Sequence, residues 1–381
     1  MKYDFDIPVD RTLTQSVKWS KQGILPLWVA DMDFPCPDPL VEALSSRAQT
    51  RIFGYTHLGE EYPGILRAWN MDRYGWAVRE EDIFYSPGVM ASIACLVRCL
   101  TGEGAGIIIQ PPVYPYFKRI IEANGRKTVE NALVASKGQY HMDFADLEEK
   151  AREKGTAMMI LCSPHNPVGR VWDREELVRV ANICRDNHVI LVSDEIHADI
   201  IRRDRTFIPV DKACPWEGII TCTAPSKTFN MPGLMFSNVV IRDAGYKGAW
   251  KMEAYGKSGL SMPNPFGYSA AVAAYTLCGD WLEQVNAYID RNLLFMRDNI
   301  REAGCPVTYR IPEGTYLAWM DFNGYGLADE ELEDRIHGKA GVRLNKGTEF
   351  HEGATGFFRL NAACPRIILE EALSRIFKAL E

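Results

Sequence analysis

Short apolar runs recur through the middle of the chain, each bounded by turn-forming residues. "GIIIQ" (106–110), "AMMILC" (157–162), "VILVS" (189–193), "GIITCT" (218–223) and "NVVI" (238–241) are such runs. They do not alternate apolar with polar, so they read as strands covered on both faces, the habit of a parallel sheet. Between them the period changes. "DREELVRVANICRDN" places Leu177, Val180, Ala181 and Cys184 on one face of a helix. Alternation of the two patterns predicts an α/β region built on a largely parallel sheet. The later chain differs. "DWLEQVNAYIDRNLLFMRDNIREAG" (280–304) predicts a long amphipathic helix ended by a glycine. The isolated strand "TYLAWMDF", the helical "DEELEDRIHGKAG" and a last amphipathic helix from Ile367 predict a smaller α+β domain. The expected division is 40–285 for the large domain, with 1–39 and 286–381 forming the small one.

Composition narrows the class. A chain of 381 residues suits about two domains. With 47% hydrophobic and 24% charged residues it is an ordinary soluble composition. The net charge of −7, with Lys and Arg dispersed, argues against nucleic acid or an anionic membrane as partner. No run approaches the roughly 18 apolar residues of a membrane helix. The ten cysteines lie scattered in apolar segments such as "ASIACLVRCL", without paired spacing. They read as reduced, buried thiols. The acidic opening "MKYDFDIPVDR" has no apolar signal core. The expected location is the cytoplasm.

Candidate chemistry gathers at the strand ends. Open α/β sheets bind ligands at the carboxyl ends of their strands. Three consecutive runs end in "SPHNPVGR", "SDEIHAD" and "APSKTFN", which bring Asn166, Asp194 and Lys227 to one expected rim. Tyr114 of "QPPVYPYF" joins the same rim. In "YSPGVMASIACLV" a Ser-Pro-Gly turn opens an apolar helix, and its first N–H groups offer an anion site. "GFFRLNAACPR" embeds Arg359 in an apolar strand, where a guanidinium needs a partner. That partner is a structural carboxylate or, through the two-pronged fork, a substrate carboxylate. Other motifs carry less. "GEGAG" precedes its strand, whereas a dinucleotide loop follows one. "DEIHAD" clusters Asp194, Glu195, His197 and Asp199, but alternation along an extended chain points Asp194 away from the other three. No metal is expected, and no GxSxG nucleophile motif occurs. An amine, an acid, an amide, an aromatic ring, an anion site and a guanidinium together are what pyridoxal phosphate requires.

These stretches, with "LPLWVADMDFPCP" and "FGYT", resemble the fold-type I pyridoxal-phosphate enzymes. More narrowly they are similar to the cystathionine β-lyase/C–S lyase branch of the MalY and PatB proteins, in family order along nearly the whole chain. The resemblance implies a mostly parallel seven-stranded sheet between helices and a smaller α+β domain. It implies that Lys227 bonds the cofactor and acts as general base, and that Asp194 pairs with the ring nitrogen. Asn166 then serves the ring hydroxyl and the substrate carboxylate, Tyr114 stacks on the ring, and His197 lies near the ring hydroxyl. Gly88, Val89, Met90 and Ser226 take the phosphate. Tyr55 reaches the neighbouring subunit's phosphate in a homodimer, and Arg359 binds the α-carboxylate of an amino-acid substrate. Two positions depart from the pattern. Met235 stands where many aminotransferases of this fold keep a phosphate-binding Arg, and Tyr116 stands where the family usually has a second Pro. The implied reaction is α,β-elimination from cystathionine, cystine, cysteine or another S-substituted cysteine, giving thiol, pyruvate and ammonia. The same residues serve an aminotransferase, or a regulatory protein that binds a transcriptional activator.

Overall fold

Every apolar run of the middle region becomes a strand of one sheet. In chain order these strands are β1 (Ile83–Ser86), β2 (Gly106–Ile109), β3 (Lys127–Glu130), β4 (Thr156–Cys162), β5 (Ile190–Asp194), β6 (Ile219–Thr223) and β7 (Ser237–Ile241). The structure is a computed structural model that describes residues 2–136 and 138–381. The seven strands lie in the order β1-β7-β6-β5-β4-β2-β3. Strands β2 to β6 pair in parallel. Strand β7 departs from the parallel pattern that its apolar run suggests, running antiparallel to both β6 and β1.

Period-2 geometry explains the unbroken apolar runs. Ile107, Ile160, Val192 and Ile220 point to one face and pack on Ile93, Leu96, Phe117 and Trp250. Their neighbours Ile108, Met159, Leu161 and Leu191 point to the other and pack on Leu147, Leu177, Val180 and Cys184. Both faces need helices, so the strands are mostly apolar, with Ser193, Thr221 and Asn238 among the buried polar exceptions. Each fully buried aliphatic side chain contributes about 1.5–3 kcal/mol.

The helices that matter for the site are α1 (Asp38–Gln49), α2 (Val89–Leu100), α3 (Arg174–Asp186), α4 (Pro265–Leu277), α5 (Gly279–Glu302) and α6 (Arg366–Leu380). Helix α3 starts at the capping box of Asp173 and Glu176. Helix α5 gives way to Gly304, whose φ of +62° stops the helix as the sequence predicts. "DEELEDRIHGKAG" begins as a short α-helix at Asp329 and widens into π-helical turns over Asp334–Lys339.

A second sheet lies beyond α5. It holds β8 (Thr308–Tyr309), β9 (Leu317–Asp321), β10 (Asn345–Lys346) and β11 (Phe357–Asn361), in the order β8-β9-β11-β10. Phe358 and Leu360 of β11 join the core with Leu369 and Ile376 of α6. Alternation therefore turns Arg359 and Asn361 the other way. The N-terminal stretch lies along this sheet. Leu25–Pro26 pairs with Val342–Arg343, and Leu27 O accepts from Asn361 N at 2.8 Å. Asn361 Nδ2 then donates to Val29 O and Asp31 O, both at 2.7 Å. Residues 27–33 are thus a strap anchored on β11.

Candidate active site

Register places the strand ends in rows. Cys222, Asp194 and Cys162 face one another across β6, β5 and β4, and Thr223, Asn238 and Tyr85 do so across β6, β7 and β1. Asn166, Lys227 and Gly88 each follow one of these ends within a few residues, so all reach one edge of the sheet.

Lys227 sits on a single helical turn, Pro225–Thr228, directly after β6. Its Nζ donates to Ala30 O at 2.5 Å, and that oxygen also accepts from Tyr316 Oη at 2.9 Å. The strap therefore closes over the lysine from 197 residues away in sequence. Loss of hydration lowers the amine's pKa to about 8; Arg359 pushes the same way, while Asp31 and Asp194 oppose. Asp194 ends β5 and is 5% exposed. Its Oδ1 accepts from Ile196 N at 3.1 Å. Burial pushes this carboxyl up to about 7, against the pull of that N–H and of Lys227.

Arg359 is 4% exposed. Nη1 donates to Asn166 Oδ1 at 2.9 Å, and Nη2 to Asn345 Oδ1 at 2.7 Å and Trp28 O at 2.8 Å. The guanidinium lies 4.9 Å from the Phe350 ring centre. Among the described residues no carboxylate forms an ion pair with it, and its Nε has no hydrogen-bond partner. Of the two partners the sequence allows, the structural carboxylate is therefore not the one built. A buried cation held only by neutral dipoles keeps the capacity to bind an anion.

His197 is buried, with its ring set edge-on to Tyr316 at 5.9 Å and Nδ1 unpartnered. Burial, with Lys227 and Arg359 nearby, drops its pKa to about 3, so the imidazole is neutral. The extended chain assumed for "DEIHAD" does not persist past Asp194. The backbone turns at once, and the charged groups take separate partners. Glu195 accepts from Ser193 Oγ and Val210 N, while Asp199 holds Tyr74, Thr228 and Arg73.

Tyr114 stacks on Tyr116, with ring centres 5.3 Å apart and an interplanar angle of 25°. Helix α2 begins at Val89 behind Gly88 without a side-chain cap, leaving the first N–H groups, Val89 and Met90 included, without intrahelical acceptors. Ser226, on the turn that carries Lys227, is buried. Met235 adopts a left-handed φ of +52° and is exposed. Tyr55 is the one predicted site residue that stands apart, 96% exposed on the segment between α1 and the helix starting at Tyr62.

Four groups at the site escape sequence reasoning: Ala30 O, Trp28 O, Tyr316 and Asn345. The first two lie inside "LPLWVADMDF", but they act through backbone carbonyls, which no residue type advertises.

The aminotransferase class I and II family profile matches residues 28–376. The chain belongs to this family. Within it, cystathionine beta-lyase PatB of Bacillus subtilis is 39% identical over 386 residues, covering 99% of this chain and 100% of that protein. Among solved structures, cystalysin from Treponema denticola, which contains pyridoxal 5'-phosphate, superposes with a TM-score of 0.96 at 33% identity over 100% of this chain and 99% of that one. The pyridoxal-phosphate-bound C–S lyase from Staphylococcus hominis gives 0.95 at 34% identity, over 100% and 98%. As an aminotransferase-family protein the chain keeps an amine, an acid and a guanidinium together at one sheet edge.

Proposed function

We propose that the protein is a pyridoxal-phosphate-dependent carbon–sulfur β-lyase that converts cystathionine or another S-substituted cysteine to a thiol, pyruvate and ammonia. One observation carries the reading. Lys227, Asp194 and Arg359 meet at one sheet edge, and none of the three forms an ion pair among the described residues. The similarity to PatB and the C–S lyases selects elimination among the reactions such a site supports.

The residues suit the cofactor. His197 Nδ1 and Arg359 Nε are buried polar atoms without partners, and the Asp194 carboxylate has a single N–H donor. Lys227 would bond its aldehyde carbon and Asp194 its ring nitrogen. Asn166 and His197 would flank its hydroxyl, and Tyr114 its face. Gly88, Val89, Met90 and Ser226 would hold its phosphate. Bound there, the cofactor supplies an electron sink for negative charge at the substrate's Cα.

The chain's own groups do the rest. Arg359, steadied by Asn166, binds the α-carboxylate and fixes the orientation of Cα. Lys227 takes the proton from Cα, and a pKa of about 8 leaves a usable neutral fraction near pH 7. Asp194 would be held ionised, despite its burial, by positive charge on the cofactor's ring nitrogen. The strap of residues 27–33 lies against Lys227 and supplies Ala30 O to its ammonium.

The same reading makes the protein a homodimer in which Tyr55 completes the partner's phosphate site. Its full exposure beside exposed Ile52 and Phe53 supports this. The domain division is 40–285 against 1–39 with 286–381. The anchoring of the strap on β11 supports grouping the N-terminal stretch with the smaller domain. Ten free cysteines support a reducing cytoplasmic setting.

The test is pyruvate formation from L-cystathionine by purified protein with pyridoxal phosphate and no 2-oxo acid. Wild-type protein forms pyruvate and Lys227→Ala forms none. Cystathionine consumption that strictly needs a 2-oxo acid and forms no pyruvate would replace the reading with an aminotransferase.

A further inference from the structure

A groove of about 290 Å³ opens beside the site. Its walls include Tyr114 and also Phe350, the ring that borders the Arg359 guanidinium. The groove therefore adjoins the Arg359 guanidinium across the Phe350 ring. The groove carries several charges, and most are already matched. Lys118 pairs with Glu130 at 3.3 Å, and His351 also faces Glu130 at 3.9 Å. Glu349 accepts from Asn345 Nδ2 and from Lys346 N, both at 2.9 Å. Glu122 accepts from Thr128 Oγ1 at 3.3 Å.

Arg119 is different. No carboxylate among the described residues pairs with it, and its guanidinium lies 4.9 Å from the centre of the Tyr116 ring. Tyr116 in turn stacks on Tyr114. Ring upon ring, the cation is held at the groove beside the site while its N–H groups stay free for an anion. Tyr116 is the aromatic that replaces the family's usual proline, so the departure has a structural use: it is the platform for Arg119. Across the same groove Glu122, Glu349 and Glu352 form no ion pair among the described residues, and of the three Glu352 also accepts no hydrogen bond there.

We propose that Arg119 is a specificity-determining residue that binds a carboxylate at the far end of the substrate's S-substituent. Glu352 accepts an ammonium where the substituent carries one. This rests on the β-lyase reading for its chemistry, but the contact is one of binding and is testable without turnover.

Four S-substituted L-cysteines separate the cases: S-propyl (neutral), S-(2-carboxyethyl) (anionic), S-(2-aminoethyl) (cationic) and L-cystathionine (both charges). In the holoenzyme, Arg119→Ala should raise KM for the S-(2-carboxyethyl) compound and for cystathionine by about tenfold, the usual worth of one exposed charge-assisted contact. It should leave kcat, and all constants for S-propylcysteine, unchanged. Arg119→Lys should recover part of the loss, and Arg119→Glu should shift preference to the S-(2-aminoethyl) compound. α-Methyl analogues of the same compounds lack the Cα proton and cannot be eliminated. Calorimetry on them should show Arg119→Ala weakening only the carboxylate-bearing analogues, with the S-propyl analogue unaffected. Equal effects on charged and neutral substituents, or none, would overturn the assignment to Arg119. Failure of every compound to yield pyruvate would overturn the lyase reading, while the calorimetry would still decide on Arg119.

Discussion

Asp194→Asn in the cofactor-free protein isolates what it costs to keep a carboxylate at the centre of this site. Asparagine has the same shape, and its Oδ1 still accepts from Ile196 N, so packing is preserved. The charge is what changes. Burial lifts the carboxyl from 3.8 to about 7. A lift of about three units corresponds to about 4 kcal/mol against the ionised form. The unfolded chain gives up this proton near pH 4 and the native one near pH 7. Between those values the native state binds more protons, so stability falls as pH rises, and the whole loss is present above pH 7. The variant does not titrate and escapes this loss. Its stability advantage over wild type should widen by about 2–3 kcal/mol from pH 5 to pH 8. Urea unfolding of both proteins, followed by fluorescence of the nine tryptophans, measures it. A difference that stays constant with pH, or shrinks as pH rises, would refute the claim that Asp194 is destabilising until a cation arrives beside it. On the proposed role of Asp194 at the ring nitrogen, holoenzyme of the variant should lose most of its turnover.

Arg359→Lys keeps the charge but loses the fork to Asn166 and Asn345. The kcat/KM for amino-acid substrates should drop about 10- to 100-fold, and an unchanged value would remove Arg359 from substrate binding. Asn361→Ala strands Val29 O and Asp31 O beneath the strap and should cost about 2–4 kcal/mol in unfolding experiments. It should slow turnover as well, since Ala30 rides on the same strap. Capture of pyridoxal phosphate by the apoprotein needs a neutral Lys227. Its rate should level off near pH 8; a rise that continues to the ordinary lysine range near 10.5 would contradict the depressed amine. Tyr55→Ala and Lys227→Ala proteins, each inactive, should regain about a quarter of wild-type activity when unfolded and refolded together, because half the dimers then hold one complete site. No recovery would place Tyr55 in its own subunit's site.

The chain discloses its large sheet readily because both faces are covered. That forces the strands to read as unbroken apolar runs, and it forces polar chemistry out to their ends, where Asn166, Asp194 and Lys227 are found. Arg359 is equally legible, since a guanidinium in an apolar strand must have a purpose. The antiparallel course of β7 is not legible: "NVVI" is buried on both faces like its neighbours, and direction leaves no mark on composition. Nor is the strap, whose contribution is the carbonyl of Ala30 and the carbonyl of Trp28. The turn after Asp194 was also hidden. Period-2 reasoning assumes that the strand continues, and the backbone leaves the sheet within one residue. Arg119 was passed over because, without knowing that Tyr116 stacks on Tyr114, nothing separates it from a solvated surface arginine.

The most direct measurement is the ratio of thiol to pyruvate released from L-cystathionine by holoenzyme dialysed free of 2-oxo acids. The account predicts the two products in equal amounts, sustained over many turnovers. Consumption of cystathionine that releases neither product, stops after one equivalent per site and resumes only when a 2-oxo acid is added would contradict it.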